Sequence, residues 1–244
     1  MNPAIALAVA RRVLLQLKRD HRTMALLLVV PCALLVLLWW MFDGDDAMFN
    51  VLGPPLLAMF PFVVMFLVTS VTTLRERSSG TLERLLSMPM AKLDLLVGYA
   101  LAFGLVALVQ SLLAVGLTVG VLGMDLAGPL WALALVAVFD AVLGTTLGLF
   151  VSAFAETEFQ AVQFMPAVIL PQIILGGLFI PREDMPEVLE VISAFLPFTY
   201  AFDALSKVAA DDIGGRFWLD VAVVIGSIIL ALVLAAATLK RRTA

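Results

Sequence analysis

Read only for apolar and polar positions, the chain alternates between long apolar runs and short polar breaks. Six runs are long enough to cross a bilayer, at roughly 24–42, 51–74, 93–122, 129–154, 159–180 and 217–239. About 20 apolar residues in helical conformation match the hydrocarbon thickness. Helices are predicted throughout, because lipid leaves the open edges of strands unsatisfied and the period-two alternation of a barrel strand is absent. Ahead of the first run, ALAVARRVLLQLKRDHR places Val9, Val13, Leu14 and Leu17 on one side of a helix, with Arg11, Arg12, Lys18 and Arg19 largely off that stripe. This pattern predicts an amphipathic helix on the membrane surface, and a plain basic anchor for the first span is the alternative. The longest break, 181–216, is polar only in part. VLEVISAFLPFTYAF carries an apolar stripe punctuated by Pro181, Pro186 and Pro197, so short helices dipping into or lying on the outer interface are predicted. Pro166 and Pro171 should kink the fifth span, and Gly176-Gly177 permit close packing or a break at its end.

Composition fixes the solvent. Of 244 residues 63% are hydrophobic, 14% are charged and the mean hydropathy is +1.09, against roughly 25% charged in a soluble domain. An all-α membrane protein forming a single domain, 1–244, follows. Cys32 is the only cysteine, so no intrachain disulfide is possible and the redox compartment stays open. The N-terminal charges precede a full-length span without a small-residue cleavage pattern, unlike a cleavable leader. With the N-terminus inside, one side collects Arg11, Arg12, Lys18, Arg19, Arg22, Arg75, Arg77, Arg84, Lys92, Lys240, Arg241 and Arg242, and the other only Arg182, Lys207 and Arg216. Twelve against three orients the chain with both termini cytoplasmic, in the plasma membrane. Trp39-Trp40, Trp131 and Trp218 then fall near outer span ends, where an aromatic belt belongs.

Chemistry is sparse. The sequence contains no GxxxxGK[ST], HExxH or GxSxG, and one His with one Cys cannot build a usual zinc site, so no metal is expected. His21 reads as an interfacial residue. Asp140 is the one acid in the middle of a span, which excludes a paired-aspartate intramembrane protease. A carboxylate at that depth costs at least ~2.5 kcal/mol. Either it faces a cavity and meets a cationic substrate or a proton, or it packs against Thr145, Thr146 or a neighbouring glutamine, with a subunit interface as the place for such packing. Gln110, Gln163 and Gln172 are available as interhelical partners.

One break stands apart. Between Arg75 and Pro89 the chain reads RERSSGTLERLLSMP. Ser78-Ser79-Gly80-Thr81 can turn and start a helix, Leu82, Leu85, Leu86 and Met90 line one face of it, and Pro89 stops it. A short rigid helix held between two spans is built to transmit force; an ordinary basic loop is the other reading.

The stretch RERSSGTLERLLSMPMAKLDLLVGYALA closely resembles the E-[RK]-xx-GTLE-xLLxxP signature of ABC-2 type (type V) transporter permeases. Downstream, LGGLFIPREDMPEVLEVISAFLPFTYAFDALSKV resembles the same family's pattern at the outer end of the fifth span. The amphipathic N-terminal helix is similar to the family's connecting helix, so the resemblance covers essentially the whole chain. It implies six transmembrane helices with a connecting helix over 1–23, a cytoplasmic coupling helix over 75–90 and short outer re-entrant helices over 181–216. It further implies that Arg75, Glu76, Arg77, Gly80, Thr81, Leu82, Glu83, Leu85 and Leu86 couple the membrane domain to an ABC ATPase subunit. Gly80 suits the turn, Glu83 is positioned to pair with a basic group, and Leu85 and Leu86 can fill an apolar cleft. Gly176, Gly177, Pro181, Pro186, Pro197 and Tyr200 fall on the outer motif, read as a gate. No cofactor is expected in this chain, with ATP and Mg held by the partner ATPase. A second permease chain, identical or paralogous, and membrane lipid are the other implied partners; nucleic acid is not. The large outer domain of some relatives is absent from the short outer segment.

The expected activity is outward movement of a hydrophobic or amphipathic substrate, with a drug or antibiotic first and a lipid-linked glycan, polysaccharide or lipid second. Phe, Leu and Met in the spans suit such cargo. A membrane enzyme would need polar groups clustered at one depth. A non-transporting anchor for an ATPase would keep the same coupling motif.

Overall fold

The computed structural model describes residues 2–42, 46–79 and 91–238. Nine α-helices are present among the described residues. A surface helix, α1 (Pro3–Arg19), leads into α2 (His21–Met41), followed by α3 (Asp46–Ser78), α4 (Lys92–Gly120), α5 (Leu130–Ser152) and α6 (Glu158–Leu175). A 3-10 turn at Arg182–Asp184, α7 (Glu187–Ala194), α8 (Pro197–Ala209) and α9 (Gly215–Thr238) complete the chain. The six helices α2 to α6 and α9 are long and apolar enough to cross a membrane, and no strand occurs among the described residues.

The bundle is organised around α5, which packs on α3, α4, α8 and α9. Its closest neighbour is α3, and the reason is local. Gly144 and Gly148 are four apart and present one small face; a Cβ at Gly144 would sit 2.3 Å from the Phe62 carbonyl oxygen, and one at Gly148 2.6 Å from that of Phe66. Small residues at this spacing let helix backbones approach where lipid supplies no hydrophobic drive. Phe62, Phe66, Leu133 and Val136 close the core on either side.

The apolar stripe of α1 is turned onto the protein. Ala6, Val9, Ala10, Val13 and Leu17 are buried, Leu14 is half-buried, and the helix lies against the start of α4. Gly98 makes this possible, since a Cβ there would meet Val9 at 2.6 Å. The backbone N–H of Asn2 donates to Asp94 at 2.8 Å, tying the front of α1 to the first turn of α4.

Helix ends follow the breakers. Pro181 and Pro186 immediately precede the 3-10 turn and α7, and Pro197 opens α8, positions where the missing N–H is not needed. The axes of α7 and α8 meet at 91°. Helix α6 stops at Leu175, five residues short of the predicted limit of the fifth span, because Gly177 takes the left-handed conformation at φ +101. Helix α3 continues past the predicted limit of the second span to Ser78, so Arg75, Glu76 and Arg77 occupy its last turn. Residues 80–90, with Gly80, Thr81, Leu82, Glu83, Leu85 and Leu86, lie outside the described residues.

Candidate functional site

At the basic end of the bundle, the last turn of α3 is held from several sides. A helix C-terminus presents unsatisfied carbonyls and attracts cations, which suits Arg75 and Arg77 there. Arg75 forms a two-pronged pair with Glu158 in the first turn of α6, Nε to Oε1 at 3.0 Å and Nη2 to Oε2 at 3.2 Å. Glu158 in turn complements the positive end of its own helix. Arg77 donates from Nη1 to the carbonyl of Ser152, the last residue of α5, at 2.6 Å.

Glu76 points the other way, into a more enclosed network. Arg12 of α1 donates from Nη2 to Glu76 Oε2 at 2.8 Å and to Tyr99 Oη of α4 at 2.9 Å. The Tyr99 hydroxyl donates to the same glutamate oxygen. The guanidinium also lies 5.9 Å from the centroid of the Tyr99 ring. Tyr99 is buried and Glu76 nearly so, and charge-assisted bonds away from water are stronger than those at the surface. Three consecutive side chains of α3 thus reach α6, then α1 and α4, then α5. Sequence reading grouped the three by motif; it did not find Arg12, Tyr99, Ser152 or Glu158 as their partners.

The opposite end carries a second charged group. Arg182 donates from Nε to Ser193 Oγ at 3.0 Å and from Nη1 to Asp203 Oδ2 at 3.4 Å, and lies 5.7 Å from the Tyr200 ring centroid. Lys207, one turn along α8 from Asp203, pairs with Asp220 of α9. Two of the three basic residues that run against the charge bias are therefore neutralised locally. That exception was itself the signal. Trp131 and Trp218 stack at this end, with centroids 6.4 Å apart at the starts of α5 and α9.

Gly176, Gly177, Pro197 and Tyr200 of the outer motif meet around the start of α8, while Pro181 and Pro186 precede the 3-10 turn and α7. Gln172 donates from Nε2 to the Val168 carbonyl at 3.2 Å and accepts from the Phe198 N–H at 3.3 Å, supplying an orphan helix donor with a partner. Gly176 and Gly177 lie under Phe198 and Phe202, where a Cβ would meet ring atoms at 3.0 and 3.1 Å. Tyr200 donates to the carbonyl of Ala194 at 2.9 Å, holding the α7–α8 bend.

Asp140 and Gln110 are apart from both ends. Both side chains are 0% exposed within the single chain, and their polar atoms have no hydrogen-bond partner among the described residues. Thr145 and Thr146 bond the carbonyls of Ala141 and Leu143 in their own helix, not Asp140. Ser111, next to Gln110, donates to the Ala137 carbonyl at 3.0 Å. Asp140 follows three residues on, about 4.5 Å along the axis. In this conformation Asp140 faces neither an open passage nor the outer surface of the bundle. Gln163 is exposed on α6. Among the described residues no three His, Cys, Asp or Glu side chains cluster as a metal site would require.

Comparison with known proteins agrees with this architecture. A family model described as ABC-2 type transporter matches residues 6–209. The inner membrane transport permease YhhJ of Escherichia coli K12 is 32% identical over 139 residues, 57% of this chain and 37% of that protein. The probable multidrug ABC transporter permease YbhR of the same strain is 28% identical over 159 residues, 65% of this chain and 43% of YbhR. The linearmycin resistance permease protein LnrN of Bacillus subtilis 168 is 26% identical over 152 residues, 62% of this chain and 39% of LnrN. The matched stretch of this chain spans less than half the length of each of these relatives.

Proposed function

The chain belongs to the ABC-2 type transporter family, and from that premise we propose that it is the membrane-spanning permease subunit of an exporter driven by a separate ATPase. It works as a pair of permease chains in the plasma membrane, with both termini and residues 80–90 on the cytoplasmic side. ATP and Mg are held by the partner, in keeping with the missing P-loop motif. The cargo is a hydrophobic or amphipathic drug or antibiotic. The names of YbhR and LnrN, a probable multidrug permease and a linearmycin resistance permease, support that class.

The observation that carries the coupling reading is the bracing of the last turn of α3. Arg75 is tied to α6, Glu76 to α1 and α4, and Arg77 to α5. A push delivered to 80–90 arrives at α3 and, through these bonds, at the helices around it. Close-packed interiors transmit such displacements because they deform little. Gly80, Thr81, Leu82, Glu83, Leu85 and Leu86 form the docking segment in this reading, while Arg75, Glu76 and Arg77 fix the direction of the push.

Co-expression with candidate ATPases and purification through the permease tests it. The wild-type chain retains an ATPase and supports hydrolysis, and Glu83→Arg with Leu86→Asp releases it while the permease still inserts. If no ATPase co-purifies, or if the double variant keeps it, the coupling assignment fails.

A further inference from the structure

The apolar stripe of α1 is covered by α4, so the surroundings meet the other side of the helix. Leu7, Arg11, Leu15 and Lys18 follow at steps of four, four and three residues, the spacing of one helix face, and all four are exposed. Arg19 stands beside Lys18, and Arg22 follows in the first turn of α2; both are exposed. Asp20 alone separates the two helices, so Lys18, Arg19 and Arg22 sit where the chain enters its first span.

Helix chemistry accounts for part of this charge. Lys18 and Arg19 complement the negative end of α1. Arg11 is mid-helix, and Arg22 lies at the positive end of α2, where the dipole repels a cation. None of the four forms an ion pair among the described residues. Asp20 is the only acid between residues 1 and 42, and both its oxygens are bonded to Thr23. Arg12, which points inward, is by contrast neutralised by Glu76.

The leucines indicate what meets these cations. Leu7 is 63% and Leu15 47% exposed, on either side of Arg11 along the face. At the border of a bilayer, leucines enter the acyl region while long basic side chains reach the phosphates. The opposite end of the bundle carries a helix of the other sign: α7 exposes Val188 and Val191, but its charges are Glu187 and Glu190.

We propose that the exposed face of α1 binds anionic phospholipid, with Arg11, Lys18, Arg19 and Arg22 on the headgroup phosphates and Leu7 and Leu15 among the upper acyl chains. A guanidinium fork matches two phosphate oxygens. A headgroup of net negative charge outcompetes a zwitterionic one, whose own ammonium answers its phosphate. Each cation near an anionic surface contributes about a fivefold preference. Arg12 adjoins Arg11, so lipid held on one side of α1 steadies the helix whose other side holds Glu76. The site requires only that α2 crosses the membrane, and it stands whatever the cargo is.

Two measurements on the full chain test this. In a Cys32→Ser background, Leu15→Cys carries a bimane fluorophore, and the chain is placed in phosphatidylcholine vesicles. Spin-labelled phosphatidylglycerol or phosphatidylcholine, labelled high on the acyl chain, is then added. The phosphatidylglycerol quenches at least about fivefold more strongly per mole. Arg11→Gln with Lys18→Gln and Arg22→Gln abolishes the difference, and Arg11→Lys with Arg22→Lys keeps it. Raised salt abolishes it in the chain that keeps all its cations, as screening of exposed charges requires, so the test does not hang on the folding of one variant. Equal quenching by the two lipids overturns the proposal, and so does no quenching by either. Loss of quenching when a co-purifying ATPase is present assigns the face to that subunit and overturns it as well. In the second measurement, the unfolding midpoint in detergent rises with added phosphatidylglycerol and not with phosphatidylcholine, and the triple variant loses the rise. An equal rise with glycerol 3-phosphate, which has the phosphate without acyl chains, overturns the assignment to lipid.

Discussion

Glu76 on α3 and Arg12 on α1 meet at 2.8 Å, with the Tyr99 hydroxyl bonded to both. The pair joins residues 64 positions apart and fixes the surface helix to the end of the span that precedes residues 80–90. Removing Glu76 leaves Arg12 and Tyr99 short of an acceptor, which costs about 1–3 kcal/mol. Glu76→Ala therefore lowers the thermal unfolding midpoint of the purified chain. Arg12→Ala with Glu76→Ala falls short of the sum of the single effects by about 0.5–3 kcal/mol, and a fully additive cycle refutes the coupling.

The α3–α5 contact depends on the absence of two Cβ atoms. Gly144→Ala and Gly148→Ala each force backbone apart, at about 1–3 kcal/mol for overpacking. Gly104→Ala meets only Val142 at 3.9 Å and removes a helix-unfavourable glycine, so it is neutral or stabilising. Unfolding midpoints in one detergent rank the variants, and equal midpoints for Gly104→Ala and Gly144→Ala reject the close-packing account.

At the acidic end, the two ion pairs are not equivalent. The Asp220 side chain is 6% exposed beside Lys207, whereas Asp203 is 28% exposed beside Arg182. Lys207→Ala strands a buried acid, for which breaking a buried pair costs about 3–5 kcal/mol, and Asp220→Asn restores most of the loss. Arg182→Ala is milder, since the Asp203 carboxylate retains access to water. Folded yield after solubilisation reads the order, and a more harmful Arg182→Ala contradicts it.

Asp140 is enclosed by its own chain. Asp140→Asn accordingly leaves the export ratio of cationic to neutral probes unchanged. A selective loss of cationic probes would reassign it to the passage.

The α1–α2 junction has a pH dependence with a definite sign. Asp20 accepts from the Thr23 hydroxyl and N–H at 2.6 and 3.1 Å, and these bonds hold its carboxyl below the usual 3.8. Because the folded value is depressed, the stabilisation is present above the unfolded value and is lost as pH falls through the folded one. Hydrogen exchange at the Thr23 amide, corrected for intrinsic rate, shows less protection at low pH, and Asp20→Ala abolishes that dependence.

Some of this was open to reading along the chain. Six apolar runs gave six spanning helices, because bilayer thickness sets a length that hydropathy measures locally. Pro181, Pro186 and Pro197 mark helix starts since proline lacks only a donor that a first turn does not use. The Gly144–Gly148 spacing is equally local, and it went unread. Tertiary structure alone decided that the stripe of α1 covers α4, that Glu76 meets Arg12 and Tyr99, and that Lys207 meets Asp220. It also decided that Pro166 and Pro171 face outward while Pro54 and Pro61 face inward. The reason is rotational. Hydropathy fixes that a helix spans, but its turn about its own axis is set by packing against neighbours, and in a helix apolar nearly all round no stripe of residues announces which side is covered.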